Sequence, residues 1–238
     1  MWNATRCVER EWLDVLQPDD PRAIRSRNDL RRINAWMLQS AIMARALVKS
    51  CGVNTPRILL DLGSGDGTFM LRVARRLASR WQNVSVILLD RQNIVNAETI
   101  QHFRALRWNA EPIAADVFDY LQQAAPSGVD VMTANLFLHH FMQQELVHLL
   151  ALAAQRSRVL VACEPRRAAF ALLASRLSWA IGCSDVTRQD AEISVRAGFN
   201  GQELSAAWPK EPGWDLREQP AMLFTHCFAA RRVLRTTV

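Results

Sequence analysis

The sequence predicts an α/β protein whose core is a doubly wound, largely parallel sheet. Three observations predict it. From residue 57 onward, short apolar runs alternate with amphipathic stretches of helical period. A glycine-rich turn, Asp61-Leu62-Gly63-Ser64-Gly65-Asp66-Gly67, separates the first apolar run from the helix that follows. The chain closes on two strand-like runs joined by a short turn. Strand–helix alternation demands crossover connections, and these place helices on both faces of a parallel sheet.

Residues 1–55 read as helices without a strand. Gln17-Pro18-Asp19-Asp20-Pro21 interrupts them, because proline disfavours continuation of a helix. Asn28 to Val48 then carries Leu30, Ile33, Met37, Ile42 and Leu47 at helical spacing, which predicts one helix. Strands are expected at Arg57–Leu62, Val84–Asp90, Glu111–Asp116, Val129–Ala134 and Arg158–Glu164. Helices are expected between them, at 66–81, 92–107, 117–124 and 140–156, and later at Gln189–Phe199 and Gln202–Trp208. Trp214–Glu218 and Leu223–Arg231 form the terminal hairpin, with Pro220 in its turn. The expected organisation is an N-terminal helical lid or extension, 1–55, and a sheet domain, 56–238.

Composition narrows the function classes. With 238 residues, the chain suits one α/β domain and an accessory segment. The N-terminus lacks the apolar core of a signal peptide, and Arg176 interrupts the longest apolar stretch, so no membrane span and a cytoplasmic location are expected. Cys7, Cys51, Cys163, Cys183 and Cys227 are scattered and odd in number, without a Cys-x-x-Cys pair. They indicate neither a disulfide framework nor a zinc ribbon, and are expected to be reduced and partly buried. Net charge is +6, which invites a nucleic-acid reading. Against it, the arginines occur as dispersed pairs (Arg31-Arg32, Arg75-Arg76, Arg166-Arg167, Arg231-Arg232), and of the 29 cations only Lys49 and Lys210 are lysines. This pattern fits a solvated surface with anion contacts better than a nucleic-acid face.

The glycine turn carries the chemistry. An acid two residues before Gly-x-Gly-x-Gly, between strand and helix, suits a nucleoside-containing cofactor: glycine permits positive φ and close approach to the backbone, and the helix start offers free N–H groups. It is not the dinucleotide fingerprint, which requires a glycine where Thr68 stands. The turn resembles the first motif of class I S-adenosylmethionine-dependent methyltransferases, which have a Rossmann-like sheet of seven strands whose last strand is antiparallel. The terminal hairpin agrees, so the resemblance covers about residues 57–232. It implies S-adenosyl-L-methionine as cofactor, with Asp61 near the methionyl amino group and Gly63, Ser64 and Gly65 along the ligand. Asp90, ending the second strand, is expected to accept from the ribose hydroxyls; its alternative is a helix N-cap. Arg91 either flanks the adenine or is exposed. Asp116 and Val117 resemble the adenine site, carboxylate on the exocyclic amine and apolar side chain on the ring, again with an N-cap as the alternative. Asn135 and the segment after it are expected beside the methionine portion.

A phenol or enol acceptor benefits from a base, and imidazole titrates near neutral pH. His139 and His140 are the candidates. Adjacent helix residues point about 100° apart, so one of the two is expected to reach the cofactor. His139 shares a helical face with Met142, Leu146 and Leu150, expected to face inward; His140 shares one with Gln144. Capping and packing of the helix start is the alternative for both. The fourth strand is followed neither by Pro-Pro-Tyr/Phe nor by Pro-Cys, which argues against base-amine, glutamine-amide and cytosine C5 chemistry. Asn135 replaces the acid that metal-dependent catechol enzymes carry, so no metal is expected. The acceptor pocket is expected between Asp29–Met37 and the segment from Glu164 through Ile181, whose helix is apolar nearly all round. That helix serves equally as core with a homodimer contact. Phe137-Leu138-His139-His140-Phe141, Cys163-Glu164-Pro165-Arg166-Arg167 and Asp190 to Phe199 together resemble bacterial methyltransferases encoded beside polyketide or phenolic-lipid pathways. The resemblance implies a small, aromatic or polyketide-like acceptor, methylated on oxygen or activated carbon. The alternatives are an RNA methyltransferase, which charge alone supports, a non-catalytic cofactor-binding partner protein, and a nicotinamide-dependent reductase, which the glycine spacing disfavours.

Overall fold

A computed structural model describes residues 5–17, 19–36, 38–123, 128–176 and 183–233. Its centre is a seven-stranded sheet in the order β3-β2-β1-β4-β5-β7-β6. The strands are β1 (Ile58–Leu62), β2 (Val84–Asp90), β3 (Trp108–Ala114), β4 (Val129–Asn135), β5 (Ser157–Pro165), β6 (Trp214–Ala221) and β7 (Thr225–Arg232). The first five are mutually parallel, and β7 runs antiparallel between β5 and β6. The strand order reverses between β1 and β4. That switch point opens a crevice beyond the carboxyl ends of the strands, where doubly wound sheets bind ligands.

The strands bury both faces, and alternate residues serve opposite layers. Leu60, Leu62, Met132, Ala134, Leu160 and Phe228 pack under α6 (Val117–Gln122), α7 (Gln143–Arg156) and α10 (Glu203–Ala207). Leu59, Val86, Leu88, Val131, Val159 and Val161 pack under α3 (Gln39–Cys51), α4 (Thr68–Leu77) and α5 (Ala97–Ala105). Met43 and Leu47 of α3 are completely buried there, so this helix is a structural layer of the sheet. The remaining helices are α1 (Trp12–Val15), α2 (Pro21–Trp36), α8 (Ala169–Arg176) and α9 (Asp185–Ala197).

Several expectations are corrected. The single helix over Asn28–Val48 is two, α2 and α3, with Leu38 at φ +54° between them. Pro21 does break the chain, and does so as the first residue of α2, where its missing N–H costs nothing. β3 begins three residues earlier than expected and ends at Ala114, so Asp116 lies beyond the strand. Pro220 stands inside β6, where the edge position spares it a ladder bond. Of the apolar segment after β5, Ala169–Arg176 is helical, but Phe170 and Leu173 are exposed rather than buried. Leu177, Trp179 and Ile181, which that expectation also rested on, lie outside the described residues, as does Met37. All five cysteines are free thiols, Cys7 exposed and the others at least half-buried.

Candidate active site

The three glycines of the turn have three different reasons. A Cβ on Gly63 would stand 2.2 Å from the Phe137 ring, so this glycine makes room for the segment after β4. Gly67 starts α4 at φ +74°, packed against Leu88 and Thr99. Gly65, at φ +56°, faces open space: no heavy atom lies within 4 Å of where its Cβ would be. A ligand resting on the turn has that space. The turn is fastened to its surroundings by Ser64 N–H on the Leu89 carbonyl (3.0 Å) and Gly65 N–H on Asp90 Oδ2 (2.9 Å). Asp66 accepts from Thr68 and pairs with Arg31, which ties α2 to the turn.

Asp61, the penultimate residue of β1, is 2% exposed, and Thr133 Oγ1 donates to it at 2.7 Å. Burial pushes its pKa up to about 7; the Thr133 bond opposes the shift and the charge of Asp90 adds to it. A buried acid with one neutral partner is incomplete, and a cation beside it restores the charged form. Asp90 ends β2 and uses both oxygens locally, Oδ2 on Gly65 and Oδ1 on Gln92 N–H (2.9 Å). Each carboxylate oxygen has a second lone pair, so the ribose reading and the local role coexist. Asp116 is the N-cap of α6, accepting from Phe118 N–H at 2.8 Å, and its other oxygen pairs with Arg91 at 2.6 Å. Arg91 therefore lies over Asp116 as an exposed ion pair. Val117, the first residue of α6, packs its side chain into the core, whereas the sequence reading places it on the adenine ring.

At the end of β4 the backbone departs from regular geometry. Leu136 has φ +52°, and its N–H reaches the Cys163 carbonyl at 2.9 Å. Asn135 Oδ1 is buried and has no hydrogen-bond partner among the described residues, and Ser64 Oγ is in the same state. Unpaired buried polar atoms cost free energy unless a ligand or water satisfies them. The two mark the crevice between β1 and β4 as polar and unfinished.

The histidines do not begin α7. They lie on a 3₁₀ turn, Leu138–His140, and α7 starts at Gln143. Met142 is the N-cap of α7 and exposed, so the expected inward face of His139, Met142, Leu146 and Leu150 fails at Met142. The cause is Glu164, fully buried at the end of β5. Its Oε1 accepts from Phe137 N–H (3.1 Å) and Leu138 N–H (2.9 Å), and its Oε2 from His139 N–H (3.4 Å). One carboxylate thus caps a tight turn. Glu164 Oε2 also lies 2.8 Å from His139 Nδ1, while His139 Nε2 stands 3.2 Å from Glu11 Oε1. Burial works against a charged imidazole, but the hydrogen bonds and charges of Glu11 and Glu164 outweigh it and raise His139 to about 9. Glu11 is held below the usual carboxylate range: burial opposes this, and the His139 contact dominates together with a hydrogen bond from Ser194. The His140 ring lies beside that of His139, centroids 4.2 Å apart, and is half-buried.

Glu11 belongs to an N-terminal strap laid over this turn. Arg6 donates to the carbonyls of Ala197 (2.8 Å), His139 (3.1 Å) and Phe141 (2.7 Å) and covers the Phe199 ring. Asp190 of α9 accepts from Trp12 N–H (2.8 Å) and Leu13 N–H (3.0 Å). Sequence reasoning missed Glu11, and placed Glu164 in the acceptor-pocket segment without its role at His139. Glu164 left a signal, a carboxylate closing the apolar run Val159–Cys163. Glu11 left none, since its partner is 128 positions away. A cleft of about 600 Å³ lies between α2 and the start of α9, lined by Arg25, Asn28, Asp29, Arg32, Cys183 and Ser184. These walls are charged and polar, unlike the apolar pocket expected here, and share no residue with the glycine turn or the strand ends.

The fold is shared with solved structures. The plantazolicin methyltransferase BpumL in complex with SAH is 12% identical over 90% of this chain and 91% of its own, with a TM-score of 0.65. The fold is the methyltransferase fold. Within it, an O-methyltransferase family protein from Burkholderia thailandensis is 17% identical over 90% of this chain and 61% of its own (TM-score 0.57). The mitomycin 7-O-methyltransferase MmcR is 20% identical over 93% of this chain and 60% of its own (TM-score 0.55). No protein-family model matches the sequence, and no curated protein does. Placed in the methyltransferase fold, the glycine turn, Asp90 and Asn135 all stand at carboxyl ends of strands on either side of the β1/β4 switch. Among the described residues no helix is long and apolar enough to cross a membrane.

Proposed function

We propose that the chain is an S-adenosyl-L-methionine-dependent methyltransferase acting on a small, aromatic or polyketide-like acceptor in secondary metabolism. One observation carries the reading: Gly65 of the glycine turn faces open space at the switch point of a methyltransferase fold. Buried Asp61 on β1, and Ser64 Oγ and Asn135 Oδ1, which lack partners among the described residues, support it. These residues fit the cofactor. Asp61 receives the methionyl ammonium, Asp90 the ribose hydroxyls, and Asp116 with Arg91 and Val117 the adenine end. Asn135 and Ser64 supply the polar contacts their present surroundings lack. Bound there, the cofactor supplies a methyl group made electrophilic by its sulfonium.

The chain's own part is alignment, exclusion of water and proton handling. The strap that Arg6 and Glu11 fasten over residues 138–141, with α2 tied to the glycine turn through Arg31, is the part of the N-terminal extension we assign to covering the reacting end; α3 belongs to the sheet. Of the two histidines, half-buried His140 is the one we assign to the acceptor's proton; His139, engaged at both ring nitrogens by Glu11 and Glu164 and raised to about 9, keeps its own proton and packs beside that ring. The names of the neighbours support a small-molecule acceptor, since they methylate plantazolicin and mitomycin. Exposed Phe170 and Leu173 support a homodimer contact on α8, and a cytoplasmic location belongs to the same reading.

Calorimetry with S-adenosylmethionine and with NADP tests it. Binding of the former is expected, and Asp90→Ala should weaken it by roughly 1–3 kcal/mol, the scale of lost buried polar contacts. Binding of NADP alone would overturn the reading. Salt-dependent RNA binding without turnover of phenolic acceptors would replace the acceptor class with RNA.

A further inference from the structure

We infer that Glu11, His139 and His140 form a binding site for one divalent transition-metal ion, with zinc the ion this donor set suits best. Each residue offers one ligand atom, and the three atoms lie within 4.8 Å of one another. Two imidazoles and a carboxylate are a set that holds zinc and leaves a further position open. Two donors on a tetrahedral zinc, each about 2.0–2.1 Å from the ion, stand about 3.3 Å apart. Glu11 Oε1 and His139 Nε2 are 3.2 Å apart. The half-buried His140 supplies the third donor, its ligand atom within 4.8 Å of the other two, and would have to move closer on binding.

The surroundings are built as those of metal sites are. Glu164 engages His139 Nδ1, which directs Nε2 toward Glu11; a carboxylate behind a ligating histidine orients the ring and raises its basicity. Glu164 is itself held by the N–H groups of Phe137 and Leu138, so it is a fixed outer partner. Ser194 Oγ donates to Glu11 Oε1, the same oxygen that faces His139. The cluster joins three elements, the strap, the 3₁₀ turn and α9, and one ion would lock all three. The sequence points away from a metal because its acids are sought near Asn135; the carboxylate comes instead from the N-terminal strap. On the methyltransferase reading, the ion's remaining position would take an acceptor hydroxyl and make its proton easier to lose.

The full chain, dialysed against chelator, is titrated with Zn²⁺ by calorimetry and with Co²⁺ by visible absorption. One ion per chain is expected, with the intense Co²⁺ bands of a four-coordinate site. Glu11→Gln and His140→Ala should each weaken binding at least tenfold, and Glu164→Gln by about 10–100-fold, as loss of an outer partner does. Circular dichroism and S-adenosylmethionine affinity, read on every variant in chelator, separate loss of the metal from loss of the fold. Stoichiometric metal binding with no cofactor binding would uphold the site while refuting the proposed function. Absence of saturable binding, or binding unchanged in both Glu11→Gln and His140→Ala, would overturn the site and leave the cluster an ion pair only.

Discussion

Asp61 is the residue whose chemistry depends most on its surroundings. In the unfolded chain it ionises near the model-compound value of 3.8; in the folded protein, near 7. Between these values the folded state keeps a proton that the unfolded state has lost, so Asp61 lowers stability as pH rises through that window, and the cost is complete above 7. A bound ammonium removes it. S-adenosylmethionine affinity should therefore rise as pH increases from 5.5 to 7, by at most about tenfold per unit, and Asp61→Asn should flatten the profile. Calorimetry across that range decides it, and a flat wild-type curve would take Asp61 off the ammonium. The acid was legible in the sequence because of the glycines beside it. Its neutral partner Thr133, on the neighbouring strand, was not, since register across a sheet is invisible from one strand. Gly63 teaches the same lesson: its spacing reads as a ligand contact, yet the atom it avoids belongs to Phe137.

At the scale of elements, local pattern and tertiary contact compete. Helical periodicity runs through Asn28–Val48, but the chain breaks at Leu38 so that α3 can lie on the sheet with Met43 and Leu47 inward while α2 reaches the glycine turn. Likewise, residues 138–140 read as the first turn of α7. Glu164 takes their N–H groups and draws them into a separate 3₁₀ turn, which sets both histidines. The strap is held by a comparable device, since Asp190 accepts two backbone N–H groups of α1. Asp190→Ala should cost about 2–3 kcal/mol locally, the scale of hydrogen bonds to a charged group. Faster hydrogen exchange at Trp12 and Leu13, with the strands of the sheet unaffected, is the expected outcome. Uniform loss of protection would mean that the strap is part of the global fold.

For the whole molecule, the sheet divides the core into two layers that share strands but not side chains. Leu149 of α7 and Met70 of α4 are fully buried on opposite faces. Truncation of either to alanine should cost about 2–5 kcal/mol. The double variant should equal the sum within about 0.5 kcal/mol, because no partner is common to both. Chemical denaturation tests this, and a large deviation would show strain passing through the sheet. The sequence by itself determined the strand–helix alternation of a parallel sheet, the terminal hairpin and the acids Asp61 and Asp90 on the first two strands. These follow from backbone periodicity and from the turn chemistry of glycine, which are written within a few residues. Only the tertiary structure decided how the site is completed: Glu11 against His139, Glu164 behind it, Thr133 on Asp61, Phe137 over Gly63. Each of these pairs joins different elements, Glu11 and His139 across 128 positions. A buried charge is settled by the partner folding brings to it, and a single chain of letters does not record that distance.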